Sequence, residues 1–246
     1  SSARRHIEIG LAHAERLGDR LVLANLLWGG ETIGRLTGDY RAARAYNERG
    51  IAILPRDPRL LGTRALLEYE VGDFDLGDVH YRQLLNTRVD AKSAASFEYA
   101  FVASVTGFAA HYTGQPGRFD FSEPKRAAKE VIESPRVTPL VAIRAQTGKG
   151  LMAVEEGDRT AAAESYEFHI TKRGTMTPGG MGSIDHLLGL LALTLDRPET
   201  AATHFEEALT FCTGAGYRPE YAHAACDYVE LLLDRKSPGD NEKAVN

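Results

Sequence analysis

Six short turn markers recur along the chain: Gly38-Asp39, Gly72-Asp73, Gly114-Gln115, Gly157-Asp158, Asp196-Arg197 and Gly239-Asp240. They stand 34, 42, 43, 39 and 43 residues apart, each with an apolar helical pattern on both sides. This recurrence constrains the fold more than composition does. A unit of that size cannot bury its own apolar face and must stack on its neighbours. Glycine tolerates the left-handed backbone that ends a helix, and the following aspartate can cap the free N–H groups of the next one. Tyr40 and Phe74, one residue further on, are placed to pin the two helices together. Val, Ile and Thr rarely alternate in runs while alanine is abundant, which favours helix over sheet. The expected fold class is therefore all-α, built of antiparallel helix hairpins.

Around the fifth marker the pattern is clearest. Upstream lies DHLLGLLALTL; downstream lies ETAATHFEEALTF, in which Ala201, Phe205, Ala208 and Leu209 form one apolar stripe. Gly107, Gly150 and Gly189 each precede a marker by seven residues. A glycine inside a helix costs about 1 kcal/mol against alanine, so three in one register predict a closely approaching partner helix. Insertions follow at GQPGRFDFSEP, SPRVTP and GTMTPGGMGS. The last, residues 174–183, reads as a plain linker between hairpins; an anion site at the next helix N-terminus or a lid are the lesser alternatives. ARRHIEIGLAHAERLGD reads as the second helix of one hairpin, and GDNEKAVN opens another. The expectation is one repeat domain over residues 1–246, about five full hairpins with a partial one at each end, cut from a longer chain.

Composition and motifs exclude several functions. A net charge of −5 provides no basic footprint for direct nucleic-acid binding by this segment. No apolar run nears the roughly 20 residues of a membrane span, and SSARRHIEIG lacks the apolar core of a secretory signal. Cys212 and Cys226 form no paired motif, so a reduced, cytoplasmic setting with buried or incidental thiols is expected. GKG at 148–150 lacks the first glycine and the hydroxyl of a phosphate loop. The eight histidines form no compact ligand set, so no metal or cofactor is expected; His80 and His204 read as half-buried structural residues. His223 precedes Cys226 by three residues on one helix face without a thiolate-stabilising setting. Glu68/Glu70 and Glu206/Glu207 read as solvated faces, and Glu68 and Glu70 cannot share a helix face. No acid–base or nucleophilic constellation emerges, and an enzyme is not expected.

These units resemble the tetratricopeptide repeat. Leu188-Gly189, Ala192, Ala201, Phe205, Ala208 and Leu209 match its small-and-aromatic pattern closely. Gly38-Asp39-Tyr40, Ala43, Tyr46 and Pro55 supply another unit, with Gly50 in place of the usual alanine, while the third departs around Pro116 and Pro124. LLEYEVGDFD (66–75), DHLLGLLALTLDRPETAATHFEEALTFCTGAGYRPE (185–220) and CDYVELLLDRKSPGDNEKA (226–244) further resemble the repeat region of large bacterial signalling ATPases. Such chains carry a LuxR-type DNA-binding domain, as in MalT-like regulators, or a class III cyclase domain. The resemblance implies a right-handed superhelix (an α-solenoid) acting as the sensory or protein-interaction arm of a multidomain regulator.

In such an array the first helix of each pair lines the concave side. The register set by the turn markers points Asn25, Trp28, Arg35, Arg59, Tyr69, Phe101, His111, Arg144 and His186 inward. One tryptophan, further aromatics and cations make a composition suited to binding. The expected function is a non-catalytic module binding a protein, a peptide or a small effector on that face. The alternative is a spacer or self-association scaffold without a ligand, for which a homo-oligomer is the expected state.

Overall fold

The computed structural model describes residues 2–87 and 97–245. Among these are thirteen α-helices and no sheet; Met176 and Ser183 form an isolated bridge. The helices are α1 (Ser2–Leu17), α2 (Arg20–Thr37), α3 (Tyr40–Ile53), α4 (Pro58–Glu70), α5 (Phe74–Thr87), α6 (Phe97–Thr113), α7 (Ser122–Ile132), α8 (Pro139–Glu156), α9 (Arg159–His169), α10 (Ile184–Thr194), α11 (Pro198–Ala215), α12 (Arg218–Arg235) and α13 (Asp240–Val245). All six markers fall at joints between paired helices: α2/α3, α4/α5, α6/α7, α8/α9, α10/α11 and α12/α13. The architecture is all-helical and repeat-like.

The first, second and fourth joints work by the expected chemistry. Gly38, Gly72, Gly114, Gly157 and Gly239 all take positive φ. Asp39, Asp73 and Asp158 accept from backbone N–H groups of the helix that follows. At the fifth joint Asp196 itself takes the left-handed conformation (φ 61°), a role that aspartate fills more readily than most residues. At the sixth, Asp240 turns back to Arg235 and to Ser237 N.

The paired helices differ in exposure. α4, α6 and α10 are buried on nearly every face, from Leu60 to Tyr69, Ala100 to Ala110 and Ile184 to Ala192. α3 buries one stripe, Ala43, Asn47 and Gly50, and α5 buries Gly77, Tyr81, Leu84 and Thr87. In α11, Ala201, Phe205 and Ala208 are buried and Leu209 is half-buried, as the stripe requires. In these pairs the first helix is thus the inner element and the second the outer one, while α2 and α12 bury one inward face each. Successive inner helices touch, α2 with α4, α4 with α6, α6 with α8 and α8 with α10, and α12 returns to contact α2.

The glycine register has the packing origin expected of it. A Cβ on Gly189 would lie 2.6 Å from the Phe205 ring of the partner helix. On Gly150 it would strike Ser165 of α9, and on Gly107 it would lie 2.8 Å from Leu151 Cβ of α8. Gly148 lets α8 meet the Ala103 backbone of α6, and Lys149 pairs with Glu164 at 2.5 Å. These contacts account for GKG without a phosphate. In the expanded third turn, Phe119 is sandwiched edge-on between Tyr69 (5.7 Å) and Tyr81 (5.5 Å). No helix among the described residues is long and apolar enough to cross a membrane.

Candidate functional site

Side chains of α2, α4, α6, α8, α10 and α12 meet in a polar interior, and segment 174–183 runs into it. Thr177, Met181 and Ser183 are buried, so the segment is not the plain linker expected from its composition. It is folded on itself: Thr177 N donates to Gly182 O and Gly180 N to Thr177 O, both at 2.9 Å. Three side chains from three helices donate to its carbonyls. Arg35 of α2 reaches Gly180 O, Tyr112 of α6 reaches Met181 O at 2.7 Å, and Arg144 of α8 reaches Pro178 O. The glycines permit the fit. A Cβ on Gly179 (φ 81°) would come within 2.5 Å of Arg144 Nη2 and 3.1 Å of the Trp28 ring. One on Gly182 would lie 2.6 Å from Phe108.

Both guanidinium groups are buried, in different settings. Arg35 bonds Glu70 at 2.6 Å and lies 3.9 Å from Glu31. Burial works against its charge, but Glu70 and Glu31 outweigh that and hold its pKa above the ordinary value. Burial pushes Glu31 up to about 7 despite the Arg35 charge. Among the described residues Arg144 has no carboxylate partner; it lies 3.9 Å over the Phe101 ring and 3.2 Å from Met181 Sδ. Burial, then the like charge of Arg35, push it down to about 9, so it stays protonated at neutral pH. Trp28 Nε1 and Arg144 Nε are buried and have no hydrogen-bond partner among the described residues.

Beside the segment lies a second cluster. His111 Nε2 (α6) and His186 Nε2 (α10) stand 3.0 and 2.6 Å from the same oxygen, Asp227 Oδ2 of α12. Their Nδ1 atoms face separate carboxylates, Glu155 Oε1 of α8 at 3.2 Å and Glu220 Oε1 of α12 at 3.0 Å. Glu220 also accepts from Ser183 N at 2.6 Å, joining the cluster to the inserted segment. Burial opposes imidazolium formation, yet hydrogen bonds to Asp227 and Glu155 raise His111 to about 10, and Glu220 and Asp227 raise His186 to about 9. Burial alone would raise Asp227; the two histidines hold it far below the carboxylate range. His223 stacks on Tyr112 with centroids 4.2 Å apart, and burial pushes it down to about 4.

Five of the nine residues expected to face inward therefore gather at this interior: Trp28, Arg35, Arg144, His111 and His186. Phe101 supports Arg144 from below. Arg59 lies 5.3 Å over the Trp28 ring and bonds Asn25 and Asp57, forming a more exposed rim. Tyr69 points away, its hydroxyl on Asp78 at 2.8 Å and a Gly77 Cβ position 2.5 Å from its ring. Glu68 and Glu70 are not solvated: both are buried, Glu68 between Arg44 and Arg64 and Glu70 on Arg35. They do occupy different faces, as their spacing requires. Cys212 is buried, its thiol pushed up to about 12 by burial; Cys226 is exposed, and both are free.

Tyr112, Glu155, Glu220 and Asp227 went unread in the sequence. The segment did carry a signal: residues 174–184 hold no charged side chain in a chain that is 26% charged. Comparison with protein-family models, curated proteins and solved structures yields no match.

Proposed function

We propose that this chain is a tetratricopeptide-like domain, a right-handed superhelix of hairpins, whose interior binds an extended peptide segment. In this reading it is a non-catalytic, cytoplasmic sensor or interaction arm of a bacterial ATP-dependent signalling or transcriptional regulator. The observation that carries it is the convergence of Arg35, Tyr112 and Arg144 on three main-chain carbonyls of segment 174–183. Side chains that donate to carbonyls hold a main chain with little regard to its sequence, and flanking pockets then select side chains. Segment 174–183 occupies the interior as an internal peptide, and a partner's segment competes for the same donors. Trp28 and the Arg59–Asn25 rim supply the entrance, and a partner that displaces the segment alters how α12 meets α2.

Replacing residues 175–182 by a short Gly-Ser linker and titrating the synthetic peptide GTMTPGGMGS tests this reading by calorimetry. One peptide should bind per chain, and Arg144→Met in the same background should weaken it at least tenfold. A linker variant that keeps its helical circular dichroism yet binds no peptide would make the interior a fixed core and the domain a spacer or self-association scaffold.

A further inference from the structure

The His111–Asp227–His186 cluster has the geometry of a metal centre rather than of an ion pair. Its donors come from α6, α12 and α10, helices far apart in the chain, yet all three donor atoms lie within 4.8 Å of one another. Both imidazoles aim Nε2 at a single carboxylate oxygen, with ring centroids 5.7 Å apart. An ion pair could spread the two donors over both carboxylate oxygens. A metal needs such convergence. Each ring also sets its other nitrogen against a carboxylate of its own, Glu155 or Glu220. That carboxylate–histidine arrangement fixes ring orientation and directs the free lone pair of Nε2 at the ion.

We propose that His111 Nε2, His186 Nε2 and Asp227 Oδ2 bind a divalent transition-metal ion, with Glu155 and Glu220 as positioning residues. Two imidazoles and one carboxylate suit zinc, or iron(II) with open positions. Metal–ligand bonds of about 2.0–2.2 Å put tetrahedral donors a little over 3 Å apart. The present spacings are 3.0 and 2.6 Å, so the ion would widen the first by about 0.3 Å and the second by about 0.7 Å. Three carboxylates converge on the two rings, and one divalent cation replaces the two Nε2 protons, which leave to solvent, with no change in the cluster's net charge. A second triad, Asp185, His204 and Glu207, is the weaker candidate, because the Arg173 guanidinium already pairs with Glu207 and lies 3.8 Å from Asp185. The ion would tie α12 to α6 and α10 and, through Glu220 and Ser183, anchor the inserted segment. This assignment stands independently of peptide binding.

The test uses the full chain, stripped with a chelator and titrated with zinc by calorimetry and thermal melting. One zinc should bind per chain and raise Tm. Asp227→Asn and His111→Gln/His186→Gln should abolish binding, and Glu155→Gln should weaken it about 10–100-fold. His204→Gln should leave it unchanged. Where a ligand variant fails to fold, the cobalt(II)-loaded wild type decides: two exchangeable, hyperfine-shifted imidazole N–H resonances are expected. Absence of stoichiometric binding, zinc retained by the double histidine variant, or cobalt without those resonances would overturn the assignment.

Discussion

Arg35 and Arg144 are both buried and both donate to the inserted segment, but their removal has different consequences. Arg35→Met would leave Glu70 buried without its cation, and breaking one side of a buried pair costs about 3–5 kcal/mol. Arg144 leaves no carboxylate behind among the described residues, so Arg144→Met loses a hydrogen bond and ring contact worth about 1–3 kcal/mol. Urea denaturation should rank them in that order; equal costs would mean that the Arg35–Glu70 pair is not desolvated. His169 provides a pH signature. It is fully buried, bonded to Ser165 O at 2.8 Å and lying 3.2 Å from Thr147 Oγ1, and burial lowers its pKa to about 4. A histidine held neutral stabilises the fold above its unfolded pKa of about 6.5, and that contribution is lost as pH falls towards 4. The unfolding free energy should therefore decline by about 3 kcal/mol across that window from this group. His169→Gln should flatten the decline; an unchanged slope would place the titration elsewhere.

At the scale of the element, the glycines separate packing from propensity. Gly189→Ala drives a Cβ into Phe205 and should destabilise by about 1–3 kcal/mol. Gly214 lies in α11 with nothing within 4 Å of a Cβ, so Gly214→Ala should stabilise by about 0.5–1 kcal/mol. Opposite signs in thermal melts support the register argument, and matching signs would refute it. The hairpins were legible in sequence because their determinants are local. Gly38 ends one helix and Asp39 starts the next within two residues, and Gly189 meets Phe205 across a single turn. Glu70 was misread as solvated because its cation, Arg35, comes from another helix, and Glu68 because Arg44 of α3 closes over it alongside its own helix's Arg64. Nothing local to EYE announces Arg35 or Arg44.

The interior belongs to the whole molecule, and for that reason it was the least legible part. Arg35 meets Gly180 across 145 residues and His111 meets Asp227 across 116. Helical periodicity turned those side chains inward but could not say which would meet. An uncharged, glycine-rich stretch reads alike as linker or as buried plug until the donors around it are known. The difference matters for the proposed function, in which the interior exchanges its own segment for a partner's. The central claim is that segment 174–183 is docked and held by α2, α6 and α8. Amide hydrogen exchange in the intact chain tests it most directly. The N–H groups of Thr177, Gly180, Gly182 and Ser183, all hydrogen-bonded, should be protected nearly as well as those of α6 and α10. Arg144→Met should expose them selectively while the helices stay protected. Exchange of these amides at the rate of an unstructured peptide in the wild-type chain would contradict the account.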